Sequence, residues 1–172
     1  MLLLLAVLLL HAAGCAAGDD AFTPSPDRPE TMETADEPRA PRTLRVERIF
    51  SNAPGQGPHR PSVILAPSSS ALARELGAES PDSGRGAYLI SYWGERPTGG
   101  YSLTVESARL KGNRVTVRLG LKEPPPAAIL TQALTYPYVV AVVRDVDPRG
   151  EDFSFVDQHG RELGWPVRRV DG

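Results

Sequence analysis

The chain has 172 residues, a formal net charge of -2 from 19 Lys and Arg against 21 Asp and Glu, and one cysteine. Near-neutral charge without a basic stripe excludes the electrostatic footprint of a nucleic-acid binder. A single cysteine leaves no partner for an intramolecular disulfide, and the length suits one domain of about 100–150 residues with an appendage.

The N-terminus sets the compartment. Leu2–Leu10 is an apolar run too short for a mature membrane span, which needs about 20 residues. It ends in Ala12-Ala13-Gly14-Cys15, the small residues that an export-signal cleavage site requires. This stretch resembles the bacterial lipobox, whose cysteine becomes the lipid-modified first residue. Two departures stand: Ala12 occupies the position where Leu is usual, and no Lys or Arg precedes the apolar run. The expectation is a signal peptide over 1–14, lipidation of Cys15, and an extracytoplasmic protein anchored in the membrane through that lipid. The other reading of the run is a buried N-terminal helix with an inert thiol.

Residues 15–42 are rich in Pro, Thr, Ala and acids, with Phe22 the one aromatic. Such a segment cannot bury enough apolar surface to offset its ordering entropy, so it reads as a disordered tether. The folded domain is expected over 43–172.

Leu44–Phe50 alternates apolar and charged residues and predicts a first strand, and Val63–Ala66 a short buried one. Ser68, Ser69 and Ser70 offer N-caps to a short helix over Ala71–Leu76, closed by Gly77. Leu72 and Leu76, four apart, give that helix one apolar face. Ala87–Trp93 and Val139–Val143 are nearly unbroken apolar runs, the pattern of strands covered on both faces.

Tyr101, Leu103 and Val105 share one face of a strand, with a bulge expected where the alternation slips at Ser107–Leu110. Lys111-Gly112-Asn113-Arg114 is a two-residue hairpin turn with glycine first, as type II′ prefers. Val115, Val117, Leu119 and Leu121 continue the alternation on the return strand. Pro124-Pro125-Pro126 marks an extended connection. Phe153–Val156 and Arg161–Val170 predict a last hairpin turning at Asp157–Gly160. The expected fold is mainly β: a small antiparallel β-sheet domain, sandwich or partly open barrel, with one short helix.

Residue patterns for catalysis are missing. No Gly-x-Ser-x-Gly elbow occurs, and Ser68–Ser70 is explained as a helix cap. His59 and His159 stand apart in Gly-containing loops, without zinc-ligand spacing. Asp145, Asp147, Gly150 and Asp152 imitate a calcium loop, but Arg149 and Val156 occupy positions where that loop needs acids; an acidic turn is the better reading. No pair of carboxylates is singled out for glycoside hydrolysis. Gly84-Arg85-Gly86 lacks the third glycine of a dinucleotide fingerprint. The expectation is a binding protein rather than an enzyme, without metal or cofactor.

One stretch remains. Gly94-Glu95-Arg96-Pro97-Thr98-Gly99-Gly100-Tyr101 joins two predicted strands. Proline fixes its own φ, and the paired glycines permit positive φ, so a shaped loop is expected, with Glu95, Arg96 and Thr98 at its tip. It is either a tight connection or a binding loop on a rigid scaffold.

Together with Thr131-Gln132-Ala133-Leu134-Thr135-Tyr136-Pro137-Tyr138, this stretch resembles the paired hallmarks of the PrcB C-terminal domain. The resemblance runs from about Thr43 to the C-terminus. That family is described as a subunit of bacterial surface protease complexes, often as lipoproteins. It implies an accessory protein that docks a surface protease or another envelope protein, with Glu95, Arg96, Pro97, Thr98, Gly99, Gly100 and Tyr101 as the contact loop. The second motif, Thr131, Gln132, Ala133, Leu134, Thr135, Tyr136, Pro137 and Tyr138, forms with it either one shared surface or one shared buried support. Arg96–Tyr101 is also similar to the Asn-Pro-Thr-Thr-Gly-Tyr loop of chagasin-type cysteine protease inhibitors, with Arg96 for Asn and Gly99 for Thr. Gly164-Trp165-Pro166 loosely echoes their companion loop. That second resemblance implies an inhibitor of papain-type proteases.

Overall fold

The computed structural model describes residues 40–52, 56–79 and 84–172. The expected signal peptide, Cys15 and the tether as far as residue 39 lie outside the described residues. Among those described, no helix is long and apolar enough to cross a membrane.

Among the described residues, nine strands and one helix follow in chain order. They are β1 (Arg42–Leu44), β2 (Val46–Asn52), β3 (Ser62–Ala66), α1 (Ser69–Leu76), β4 (Gly86–Tyr92), β5 (Ser102–Lys111), β6 (Arg114–Lys122), β7 (Tyr138–Arg144), β8 (Asp152–Val156) and β9 (Val167–Arg169). They form a four-stranded sheet of order β1-β5-β6-β8 and a five-stranded sheet of order β2-β7-β4-β3-β9.

The two sheets pack face to face. Leu103, Val115, Val117, Leu119 and Phe155 of the first meet Val63, Leu65, Leu89, Val139 and Val143 of the second in one buried cluster. The other face of the five-stranded sheet carries Tyr88, Ile90, Val140 and Val142, covered by Ala71 and Leu72 of α1. Three layers result, and β4 and β7 are buried on both faces, as their unbroken apolar runs require.

Local expectations are met at several elements. Ser68 caps α1 by accepting the Ala71 N–H at 3.1 Å, and Gly77 ends it. Leu72 and Leu76 both lie on its packed face. The hairpin between β5 and β6 turns at Gly112, whose φ of 58 suits the first position of a type II′ turn. A bulge forms in β5, but at Glu106, between the Val105 and Ser107 rungs, just ahead of the Ser107–Leu110 stretch where it was expected. Tyr101, Leu103 and Val105 all face the inter-sheet core.

Two expectations are corrected. Leu44–Phe50 is not one strand. The chain bends at Arg45, β1 pairing β5 in one sheet and β2 pairing β7 in the other. Leu44 and Val46 still point into the same core, so the alternation was right and the pairing partner changed. Phe153–Val170 is not a closing hairpin. The turn at Asp157–Gly160 forms, and Glu162 makes a single bridge to Val156. Beyond it Gly164 and Pro166 interrupt the ladder, since proline has no N–H to donate, and β9 crosses to pair β3. The fold class is as expected, mainly β with one short helix, and within its mostly antiparallel sheets β6–β8 and β3–β9 run parallel.

Ser91 is fully buried in β4, and its Oγ has no hydrogen-bond partner among the described residues. A hydroxyl so placed keeps its desolvation cost, so Ser91→Ala should be neutral or stabilising in urea unfolding. Leu89→Ala, two residues away in the inter-sheet core, should cost about 2–5 kcal/mol.

Candidate functional site

β4 and β7 are antiparallel neighbours whose last rung is Tyr92 opposite Tyr138. Whatever leaves β4 must therefore run beside whatever enters β7. Past the sheet the pairing continues. The Trp93 N–H donates to the Pro137 carbonyl at 2.9 Å, and Arg96 and Thr135 exchange both backbone bonds at 2.8 and 2.9 Å. The Gly99 N–H donates to Thr131 O at 3.1 Å, and the Thr135 hydroxyl donates to Thr98 O at 2.8 Å. The two sequence motifs are thus one irregular ladder extending the β4–β7 pair.

Two glycines make this close approach possible. Gly94 has φ 80, and a Cβ there would lie 2.9 Å from the His59 carbonyl oxygen and from Pro61 N. Gly100 has φ 85, and its Cβ would lie 2.9 Å from both Leu130 and Pro124. Neither position admits another residue without moving backbone or packed side chains. Gly99 does not take positive φ.

Arg96 is turned inward. Its guanidinium lies 4.8 Å from the Trp93 ring centroid and 5.9 Å from that of Tyr101. The two rings meet edge to face at 5.5 Å. Nη2 donates to the Trp93 carbonyl at 2.7 Å, while Nε is buried with no partner. The expected display of Arg96 at a loop tip is therefore corrected: the side chain is support, held by ring faces that attract a cation.

Glu95 also points back toward the fold. Its Oε2 accepts the Tyr136 hydroxyl at 2.9 Å and the His59 ring Nδ1 at 2.6 Å. The His59 and Tyr136 rings pack edge to face at 5.8 Å, and the Glu95 N–H donates to His59 O. These bonds to its charged form, Tyr136 first and then His59, hold the Glu95 carboxyl below its ordinary range against a small opposing effect of burial. The same bond pushes the Tyr136 phenol up. The Gly57–Pro61 segment is thereby clipped to the loop, a partnership that no sequence spacing announces.

Thr98 is half-buried as well, leaving Pro97 and Gly100 as the exposed positions of the first motif. In the second, Tyr136 and Pro137 are buried, whereas Thr131, Gln132, Ala133 and Leu134 are exposed. The largest apolar exposures among the described residues sit on this connection: Ile129 is 103% exposed and Leu134 53%. Sequence reading passed over Ile129. Its signal was an apolar residue in a Pro-rich connection where no strand needed it.

The other titratable groups have local roles. Asp157 is buried; that burial would raise its carboxyl, but bonds from the Arg161 backbone and side chain and from the His159 N–H hold it low. Asp147 and Glu151 accept backbone N–H groups within the turn before β8. No group of three or more His, Cys, Asp or Glu is placed to hold a metal ion among the described residues. Trp165 is half-buried against the inter-sheet core, so Gly164–Pro166 is not a free loop.

Residues 87–144 match the family model described as PrcB C-terminal. The matched segment runs from β4 through β7 and contains both motifs and the connection between them. The resemblance stated from those motifs is borne out over this segment, which is shorter than the Thr43-to-C-terminus span expected. No curated protein and no solved structure matches the chain.

Two outcomes follow from the site. Arg96→Lys should lower stability by about 1–3 kcal/mol in urea titration, because an ammonium cannot stack on the Trp93 ring and still reach the Trp93 carbonyl. Glu95 has its folded-state pKa depressed, so its bonds contribute stability above the ordinary value of 4.5 and lose it as pH falls through the lowered one. The gap in thermal midpoint between wild type and Glu95→Gln should be open near neutral pH and close as the pH is taken down below 4.5.

Proposed function

We propose that this chain is a non-catalytic accessory subunit that docks a protein partner, of the class of an extracytoplasmic protease complex, through the connection carrying Ile129 and Leu134. The observation that carries this is the exposure of those two side chains on a segment clamped to the family-matched loop. Two large apolar side chains left in water on a rigidly held segment are area that a docked partner would remove from water. The Arg96–Tyr101 loop, expected to be the contact, serves in this reading mainly as the scaffold, with Pro97 and Gly100 its exposed residues.

A binding role also agrees with the chemistry. His59 is occupied by Glu95 and Tyr136, and neither it nor His159 is hydrogen-bonded to a serine or threonine among the described residues. The protease association comes from the family description rather than from any side chain here. The membrane anchor rests on Ala12-Ala13-Gly14-Cys15 after Leu2–Leu10.

Two experiments test the reading. The full-length chain, used as bait on an envelope extract of its source cells, should recover a secreted or surface protease or another envelope protein. The Ile129→Asp, Leu134→Asp double variant should recover at least about tenfold less, since an unpaired charge at a desolvated contact costs more than the 1.4 kcal/mol that a factor of ten represents. Equal recovery by a variant with an unchanged thermal midpoint would move the docking surface elsewhere. Metabolic labelling with a fatty-acid probe should mark the wild-type chain and be lost on Cys15→Ala; persistence of the label would remove the anchor.

A further inference from the structure

The four-stranded sheet packs one face on the core and turns the other to solvent. Ala108 and Leu110 of β5 and Val115, Val117, Leu119 and Leu121 of β6 point inward. Strand alternation therefore turns Arg109, Lys111, Arg114, Arg118 and Lys122 outward. All five are exposed. The register brings four of them into one stripe. Lys111 stands opposite Arg114, and Arg109, opposite Thr116, has Arg114 and Arg118 as its diagonal neighbours. Such neighbours lie about 5–8 Å apart on a sheet, where like charges repel. Divided between two strands, these cations form no run in the sequence; the β5–β6 pairing assembles them.

Several cations elsewhere in the domain are partnered. Arg144 pairs with Glu47, Arg161 with Asp157 and Arg168 with Glu75, and Arg96 lies over two rings. None of the five on this face has a hydrogen-bond or ion-pair partner among the described residues. The acids that β5, β6 and β8 place on it are Glu106, beside Gly120, and Asp152, opposite Arg114 by register. Positive charge is in excess, and the fold itself does not use it.

The residues between the cations narrow the occupant. They are Thr104, Ser107, Thr116 and Gly120, and neither β5 nor β6 adds an aromatic or aliphatic side chain to this face. A protein partner would find no apolar anchor there, and nucleic-acid bases nothing to stack on. What the face offers is a plane of fixed positive charge, the complement of a plane of lipid phosphates. β1 also enters this sheet at Arg42, opposite Leu110 and one residue from Lys111. The chain that leads from Cys15 therefore joins the sheet at the cationic end of the face.

We propose that the outer face of the β1-β5-β6-β8 sheet rests on the anionic phospholipid headgroups of the membrane, through Arg109, Lys111, Arg114, Arg118 and Lys122. This rests on the reading that Cys15 anchors the chain, and it concerns a surface distinct from Ile129 and Leu134. The lipid brings the domain to the membrane, and the cationic face decides which side of the domain lies against it. The repulsion among neighbouring cations is relieved when phosphates stand between them.

The test sediments the full-length Cys15→Ala chain, which can carry no lipid at that position, with phosphatidylcholine vesicles made with and without phosphatidylglycerol. At low ionic strength partition should favour the anionic vesicles, and about 1 M salt should abolish the preference. Arg109→Gln with Arg118→Gln should lower partition onto anionic vesicles at least about tenfold, since each cation near such a surface contributes about fivefold. Arg60→Gln with Arg85→Gln, two exposed arginines outside this sheet, removes the same charge and should lower it less than about twofold. Acetylation of Lys111 and Lys122, read by mass spectrometry, should be slowed by anionic vesicles and not by zwitterionic ones. Equal partition onto both vesicles, an equal loss in the two double variants, or unslowed acetylation would each overturn the proposal and leave the face to an acidic macromolecule. The anchor itself stands or falls on the fatty-acid label at Cys15, so the two failures are told apart.

Discussion

The exchange of two backbone bonds between Arg96 and Thr135, at 2.8 and 2.9 Å, is the constraint on which the rest of the site depends. It lies beyond the last rung of the β4–β7 ladder, where each chain would otherwise be a free connection with unmet backbone groups. With that rung in place, Trp93 and Tyr101 come edge to face and the Arg96 guanidinium lies over both rings. Glu95, one residue earlier, is then turned toward Tyr136 and His59. The close packing at Gly94 and Gly100 follows from the same register, since both lie where the loop is pressed against another segment. Remove the rung and none of these side-chain contacts has a reason to persist.

That rung is itself held by burial further down. β4 and β7 have apolar residues on both faces, one set in the inter-sheet core and the other under α1. A one-residue slip would exchange the two sets and expose the mismatch on both sides. The register is therefore fixed strongly inside the sheet and carried outward into the loop. The charge on Arg96 is tolerated there because two ring faces and a carbonyl receive it, although Nε remains buried without a partner. Two rings and one short bond offset one unsatisfied N–H.

Local chemistry was legible in the sequence where one segment decides its own state. Ser68 and Gly77 bounded the helix, Gly112 turned the hairpin, and the runs at Ala87–Trp93 and Val139–Val143 declared themselves covered on both faces. What was not legible was the choice of partner. Nothing in Leu44–Phe50 says that the chain changes sheets at Arg45, because Leu44 and Val46 face the same core before and after the bend. The parallel additions of β8 and β9 likewise depend on edges left open by other strands. At the site, proline and glycine announced a shaped loop but not its direction. Glu95 and Arg96 look like display residues until the two aromatic rings and the Tyr136 hydroxyl exist to receive them.

The positions whose types attract notice, Arg96, Gly94, Gly100 and Tyr136, are thus occupied with support, and the large apolar side chains left exposed on the connection are the plain aliphatics Ile129 and Leu134. This division has a physical advantage for a docking segment. A free connection pays backbone and side-chain entropy when a partner orders it, whereas one already bonded at Arg96, Gly99 and Thr98 has lost most of that freedom on folding. Ile129 and Leu134 would then meet a partner from a fixed frame, so that much of the apolar area they bury appears as affinity. The ladder that continues the β4–β7 pairing is, in the docking reading, what presents those two side chains to a partner in a fixed frame.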